Sequence, residues 1–167
     1  MKKIQLIKNA KRIVFKIGSS LLIKDRKFNQ EWLKTFAKDI ELLNSKKEII
    51  IVASGAVPLG KGYLNYKATE ININLKQAFA ACGQVILMNN FKDVFKKKKI
   101  AQVLLTFSDT EDRRRSLNSK ETIKNLLLSN VIPVINENDT VATEEIRYGD
   151  NDRLAARVAQ MIDADLL

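Results

Sequence analysis

Two clusters of amides and carboxylates in the last third of the chain are the residues best suited to bind a small polar ligand. The first follows an apolar run, residues 131–135, that we interpret as a short buried strand. We expect the polar side chains that end this strand to stay out of the core. The second cluster opens a helical pattern. In chain order the seven residues are Asn136, Glu137, Asn138 and Asp139, then Asp150, Asn151 and Asp152.

The residue types in these clusters predict a ligand that carries both an amine and carboxylates. Carboxylate and amide oxygens accept hydrogen bonds from an ammonium group, whereas Asn amides and helix N–H groups donate to carboxylates. Turn and N-cap chemistry alone would explain any single one of Asp139, Asn151 and Asp152. Seven polar residues around two element ends favour a site, because open α/β sheets bind ligands where strands end.

A lysine and a glycine turn near the start of the chain could bind phosphate. Lys16 lies in an otherwise apolar predicted strand, residues 12–17, and Gly18 and Ser19 follow it. A cation beside the backbone N–H groups of such a turn suits phosphate oxygens. From these residues alone, an edge-strand lysine explains the pattern equally well.

A second turn, Ser54 and Gly55, follows another predicted strand, residues 48–53, which is nearly all apolar. A strand this apolar is typical of a parallel sheet that is covered on both faces. We interpret the turn as the start of a short helix whose N–H groups could bind an anion such as a carboxylate. Lys16 and Ser54 should then lie on the same sheet edge as the polar clusters.

The elements that position these residues alternate between strands and helices. Strands are predicted over residues 12–17, 48–53, 100–105 and 131–135, and helices over 30–44, 54–63, 75–95, 116–129 and 152–162. Residues 109–116 are interpreted as a charged loop with a helix cap at Ser116, and residues 141–148 as a small hairpin. The alternation predicts an α/β fold with a mainly parallel sheet. Since a further strand is expected to begin at Leu166, the domain looks truncated.

Composition limits the chemistry and the cellular setting. The 167 residues include no histidine and one cysteine, Cys82, which excludes histidine catalysis, His-ligated metals and an internal disulfide. We expect no membrane partner, because no apolar run reaches spanning length. A single cysteine and a start without a secretory signal pattern suggest a cytoplasmic protein.

The net charge of +10 raises the alternative of a nucleic-acid-binding domain. The densest basic run is residues 96–99, four lysines that follow a helical pattern. No aromatic residue is interleaved with them, as binding of single strands would favour. We interpret them as a solvated helix end and expect no specific nucleic-acid partner.

Taken together, these segments resemble the amino acid kinase family over nearly the whole chain, from about Arg12 to Leu167. The segment Lys16-Ile17-Gly18-Ser19-Ser20 is similar to the first phosphate loop of the family. Residues 53–57 resemble its second glycine turn, residues 76–84 its long helix, and residues 102–106 and 111–118 follow in register. Residues 134–143 and 149–155 are the most specific matches. The resemblance implies a three-layer sandwich with a mainly parallel sheet.

The resemblance also implies an activity: transfer of the γ-phosphoryl group of ATP, with Mg²⁺ carried by the nucleotide, to the side-chain carboxylate of L-glutamate, the first step of proline biosynthesis. Lys16 would contact the transferring phosphoryl group, Gly18 and Ser19 would bind the nucleotide, and Asp152 would orient the catalytic lysines. The residues implied at the glutamate site are Ser54, Gly55, Asn136, Asp139, Asp150 and Asn151. A glutamate carboxylate is ionised near neutral pH and needs no general base, so the lack of histidine is no obstacle.

In the family, a nucleotide-binding half with a second catalytic lysine follows the strand that begins here at Leu166, and many members add an RNA-binding-like C-terminal domain. We therefore expect residues 1–167 to form the glutamate-binding part, with little or no kinase activity alone. Proline as a feedback inhibitor and a homo-oligomer are further implied. The alternatives are a related kinase, such as one acting on acetylglutamate, and a catalytically silent module that binds glutamate or proline.

Overall fold

The computed structural model describes residues 2–24, 27–44, 46–141 and 151–167, which build a three-layer α/β sandwich. The strands are β1 (Arg12–Ile17), β2 (Ile23–Lys24), β3 (Lys27–Phe28), β4 (Glu48–Ala53), β5 (Lys99–Leu105) and β6 (Val131–Glu137). The helices are α1 (Lys2–Asn9), α2 (Ser19–Leu22), α3 (Gln30–Asn44), α4 (Ala56–Tyr63), α5 (Ile73–Val94), α6 (Phe107–Glu111), α7 (Arg113–Leu128) and α8 (Asn151–Met161). The α/β class with a mainly parallel sheet is confirmed.

The central sheet has the strand order β1-β4-β6-β5, and all its pairings are parallel. Strand β4 lies between β1 and β6, with Ile17 opposite Ala53 and Val52 opposite Ile135. The carboxyl ends of β1, β4 and β6 therefore meet at one edge of the sheet. A separate antiparallel pair, β2 and β3, follows the first turn.

Strand β4 is buried on both faces, as its apolar sequence predicts, and separates two cores. On one face Ile49 and Ile51 pack with residues of α3, α4 and α5. On the other face Ile50 and Val52 pack with residues of α7 and α8. Burial of each such side chain stabilises the fold by about 1.5–3 kcal/mol, so the sheet is a firm platform for the residues at its ends.

Helices α4 and α5 touch through their backbones at two glycines. A Cβ atom on Gly60 would lie 1.8 Å from the carbonyl oxygen of Phe79, and one on Gly83 would lie 1.8 Å from that of Ala56. Only glycine permits this approach. The contact fixes the first turn of α4 against the middle of α5.

The structure differs from the sequence-based prediction at the end of β6. The strand continues two residues past Ile135, and Asn136 and Glu137 are buried, with 3% and 8% of their surface exposed. The expectation that these side chains stay out of the core was wrong. The ladder extends because Leu104 and Leu105 of β5 pair with them, and because hydrogen bonds replace water around Asn136.

The charged segment after β5 was also misjudged. Instead of a loop it forms α6, whose start is a capping box between Thr106 and Asp109. Helix α7 begins at Arg113, three residues earlier than predicted, and Asp112 rather than Ser116 caps it by accepting from the Arg115 N–H. The patterns did not reveal α1 or the β2–β3 pair. Beyond Val141, the hairpin expected over residues 141–148 lies outside the described residues.

The last residues line up along the free edge of β1. Leu166 forms an isolated parallel bridge with Ile13, and its carbonyl accepts from the Val14 N–H at 2.9 Å. This is the pairing expected of a strand that begins at Leu166. Within the described residues, no helix combines the length and apolar character that crossing a membrane requires.

Candidate functional site

A pocket of about 160 Å³ opens at the carboxyl edge of the sheet. Residues at or just after the ends of β4 and β6 and from the starts of α2, α4 and α8 line it: Ser19, Ser54, Gly55, Ala56, Val57, Pro58, Asn136, Glu137, Asp139 and Asn151. Pockets for drug-sized ligands have roughly 300–1,000 Å³. The size therefore suits a ligand as small as an amino acid.

A chain of buried amides forms one wall of the pocket. The Nδ2 group of Asn151 donates to the carbonyl of Ala53 and to Oδ1 of Asn136, both at 2.8 Å. The Nδ2 group of Asn136 donates to Oε1 of Gln84, also at 2.8 Å. These bonds join β4, β6, α5 and α8, so the wall is rigid before any ligand binds.

Two acidic residues, Glu137 and Asp139, line the pocket beside this wall. Burial, with the nearby charge of Asp139 as a second cause, raises the pKa of Glu137 to about 7. Burial raises the pKa of Asp139 to about 6. Each group would ionise more readily beside a cation. The pair thus forms a subsite suited to an ammonium group.

The opposite wall is the turn between β4 and α4. Gly55 has a φ of +117°, which a residue with a side chain rarely adopts, and a Cβ atom there would lie 3.1 Å from Cδ1 of Ile23. The glycine precedes Ala56, the first residue of α4. Unpaired N–H groups at a helix start can bind a carboxylate. The pocket therefore combines groups suited to an anion with groups suited to a cation.

A lysine–aspartate pair lies next to the pocket. Nζ of Lys16, at the end of β1, is 2.5 Å from Oδ1 of Asp152, at the start of α8. Gly18 lies beside this cation, since a Cβ atom built on it would be in ordinary contact with the same Nζ at 3.9 Å. Backbone next to a positioned lysine is the kind of cradle that suits a phosphoryl group.

A larger cleft of about 720 Å³ lies at the opposite edge of the sheet. Several of the charged groups that line it form ion pairs or hydrogen bonds within the fold. Arg12 pairs with Glu48 at 2.7 Å, and the carboxylate of Asp165 accepts from the N–H groups of Lys11 and Arg12. We assign this cleft no role in binding.

The structure brings most of the sequence-predicted site residues together. Ser19, Ser54, Gly55, Asn136, Asp139 and Asn151 line one pocket, and Lys16, Gly18 and Asp152 lie beside it. Asp150 is outside the described residues. Their individual roles stay predictions. In the described part of the chain, no group of three or more Cys, Asp or Glu side chains is placed to hold a metal ion.

Sequence reasoning missed two residues of the site. Glu137 was seen only as part of a polar cluster, yet it lines the pocket and burial raises the pKa of its carboxyl group to about 7. Gln84 was seen only as part of a long helix. Its spacing from Ala80, Leu87 and Phe91 places it on the buried face of α5, and that is the signal which could have marked it.

Comparison with known proteins agrees with the geometry. The model of the family described as "Amino acid kinase family" matches residues 11–167. Proteins named glutamate 5-kinase from Pelagibacter ubique, Caulobacter vibrioides and Brucella anthropi are 53%, 51% and 50% identical to the chain. The matches cover 95–96% of this chain but 43–45% of those proteins, so the chain spans less than half their length.

Among solved structures, the fold is similar to that of UMP kinase from Ureaplasma parvum, with a TM-score of 0.56. The similarity covers 93% of this chain and 64% of that one, at 16% sequence identity. At this identity the likeness concerns the fold.

Proposed function

This chain belongs to the amino acid kinase family, and from that premise we propose that its pocket is the glutamate site of an enzyme that phosphorylates the side-chain carboxylate of L-glutamate with ATP. The reaction would be the first step of proline biosynthesis. The observation that carries the proposal is the convergence of Ser54, Asn136, Asp139 and Asn151 on one amino-acid-sized pocket. The similarity to proteins named glutamate 5-kinase supports the choice of substrate.

The two sides of the pocket match the two kinds of charged group in glutamate, the ammonium group and the carboxylates. The ammonium group would lie against the carboxylates of Glu137 and Asp139 and the oxygen of Asn151. An N–H group at the start of α4 would bind a carboxylate, with Ser54 as a further donor. Because buried hydrogen bonds already order the amide wall, substrate binding should lose little free energy in ordering it.

Phosphoryl transfer to a carboxylate mainly requires that two anions approach each other. The side-chain carboxylate of glutamate is already ionised, so no proton has to be removed. Lys16 would screen the charge between acceptor and phosphoryl group, and Asp152 would hold its ammonium in place. Gly18 and Ser19 would offer backbone N–H groups to the phosphoryl oxygens of ATP, whose Mg²⁺ would neutralise part of their charge.

In this proposal, residues 1–167 are the glutamate-binding part of the enzyme. The adenine pocket and a second catalytic lysine would belong to the part of the relatives' length that this chain does not match. Inhibition by proline, a homo-oligomer and a cytoplasmic location stay predictions.

The test is made in the complete protein that carries these residues. With ATP, Mg²⁺, L-glutamate and hydroxylamine, we expect γ-glutamyl hydroxamate, the trapped form of the acyl phosphate. N-acetyl-L-glutamate should give no product, because its amide cannot occupy a subsite made for an ammonium group. A preference for the acetylated substrate, or binding of L-glutamate without any acyl phosphate, would refute the proposal.

A further inference from the structure

Gln84 is a buried polar residue that packing does not require. It lies on the inner face of α5 with 9% of its surface exposed, between apolar neighbours such as Ala80 and Leu87. Its Oε1 accepts from Asn136, whereas its Nε2 has no hydrogen-bond partner among the described residues. A buried amide that lacks a partner destabilises a fold, and an apolar side chain of equal size would fit the core better. Its presence therefore points to a task other than stability.

The hydrogen bonds along the amide chain determine what each residue can offer a ligand. An Asn side chain has two N–H hydrogens and one carbonyl oxygen. Both hydrogens of Asn151 are used, one by Ala53 and one by Asn136. What Asn151 can still present is its oxygen, an acceptor. Asn151 lines the same pocket as Glu137 and Asp139, whose carboxyl groups are the other acceptors there.

The orientation of Asn151 depends on Asn136. Oδ1 of Asn136 takes the second hydrogen of Asn151 and also accepts from the N–H of Glu137. Among the residues that the structure describes, Gln84 is the acceptor that holds the Nδ2 group of Asn136. Without this acceptor, Nδ2 would turn toward the carboxyls of the pocket. The second hydrogen of Asn151 would then be released and would compete with the ammonium group of the ligand.

We propose that Gln84 is a positioning residue for the amine subsite: it anchors Asn136, and through Asn136 it keeps Asn151 turned so that an acceptor faces the pocket. The inference rests on the proposed function, since it concerns selection of a free amine within that glutamate site. Gln84 does not itself contact the ligand.

The test compares two ligands that differ only in the amine. Dissociation constants of L-glutamate and glutarate are measured by titration calorimetry at pH 8 for the unsubstituted protein (the parent) and for the variants Gln84→Met and Gln84→Glu. We expect the parent to prefer L-glutamate by about tenfold or more, the value of one charge-assisted hydrogen bond. Gln84→Met should remove most of this preference by weakening L-glutamate binding while leaving glutarate binding unchanged. Gln84→Glu keeps the acceptor for Asn136 and should keep the preference.

Two controls separate positioning from general damage. Gln160→Met makes the same change at an exposed position of α8 and should alter neither constant. Leu87→Ala weakens the core beside Gln84 and should lower the melting temperature without changing the preference. Gln84→Leu repeats the test if Gln84→Met does not fold.

Different results refute different claims. A parent protein that does not bind L-glutamate refutes the proposed function. A parent that prefers L-glutamate, together with a Gln84→Met variant that keeps the preference or loses both ligands equally, refutes only the positioning role. Failure of both apolar variants to fold would also overturn it, because Gln84 would then be acting on the fold.

Discussion

Replacing the buried carboxyl group of Glu137 should stabilise the ligand-free protein and weaken its binding of L-glutamate. The pKa of Glu137 is raised from 4.5 to about 7, so the folded state holds its proton more tightly than the unfolded chain does. The contribution to the free energy of unfolding is therefore greatest below about pH 4.5, declines as pH rises to about 7, and stays low above. The Glu137→Gln variant has no carboxyl group to ionise at this position, so it avoids this loss of stability at high pH.

The size of the effect follows from the same values. A change from 4.5 to about 7 corresponds to an upper limit of about 3 kcal/mol. Because the pocket is open to water and the group is coupled to Asp139, we expect about half of that, roughly 1–2 kcal/mol. For a chain of this size, the variant should melt about 3–6 °C above the parent at pH 8. Near pH 4.5 the difference should be small.

L-Glutamate should reverse the order of the melting temperatures of the parent and the Glu137→Gln variant. Its ammonium group favours the ionised carboxyls, so its affinity for the parent should rise between about pH 5.5 and 8, through the pKa values of about 6 for Asp139 and about 7 for Glu137. The variant lacks one carboxylate and should bind about tenfold or more weakly at pH 8. Saturating ligand should then raise the melting temperature of the parent more than that of the variant.

The assay is thermal denaturation at several pH values between 4.5 and 8, with and without L-glutamate. Glu70→Gln, an exposed carboxylate in a loop, is the matched control and should behave as the parent at every pH. If Glu137→Gln melts no higher than the parent at pH 8 without ligand, burial does not make ionisation of this carboxyl group unfavourable. If L-glutamate stabilises both proteins equally, Glu137 is not part of the amine subsite.

Three further perturbations test the fold and the proposed roles. Gly83→Ala would push a methyl group into the carbonyl of Ala56, where the Cβ distance is 1.8 Å, and should lower stability by about 1–3 kcal/mol in denaturant unfolding; an unchanged midpoint would show that the two helices are not held in contact. In the complete protein, Asp152→Asn should lower kcat about tenfold or more with little change in KM, since it acts on the transition state, and an effect confined to KM would make it a plain ligand residue. Lys16→Met should abolish turnover yet keep L-glutamate binding, whereas the exposed control Lys124→Met should change neither turnover nor binding; normal turnover in Lys16→Met would contradict the charge-screening role.

The sequence predicts the parts of this fold that local patterns determine. The bounds of β4 and α3 agree with the prediction, because a run of β-branched residues and a regular helical spacing each identify one kind of element. The same patterns place Lys16, Ser54 and Asn136 at strand ends. Parallel pairing then brings those ends to one edge, so the location of the pocket follows from the sequence.

The sequence does not predict features that depend on distant partners. Asn136 and Glu137 look like the end of a strand because they are polar, and their burial is possible only through Leu105 and through amides far away in the chain. Gln84 lies 52 residues from Asn136, and no local pattern connects the two. The amide chain is therefore visible only in three dimensions.

The strand order also has a consequence for the newly made chain on the ribosome. Strand β6 inserts between β4 and β5, so β5 is synthesised before the neighbour that joins it to the sheet. During that interval the apolar edge of β4 has a partner in β1 but none on its other side, which is a state prone to aggregation. The pocket closes later still, because Asn151 reaches back 98 residues to the carbonyl of Ala53. A ligand of this pocket can therefore stabilise the fold only after nearly all of these residues have been synthesised.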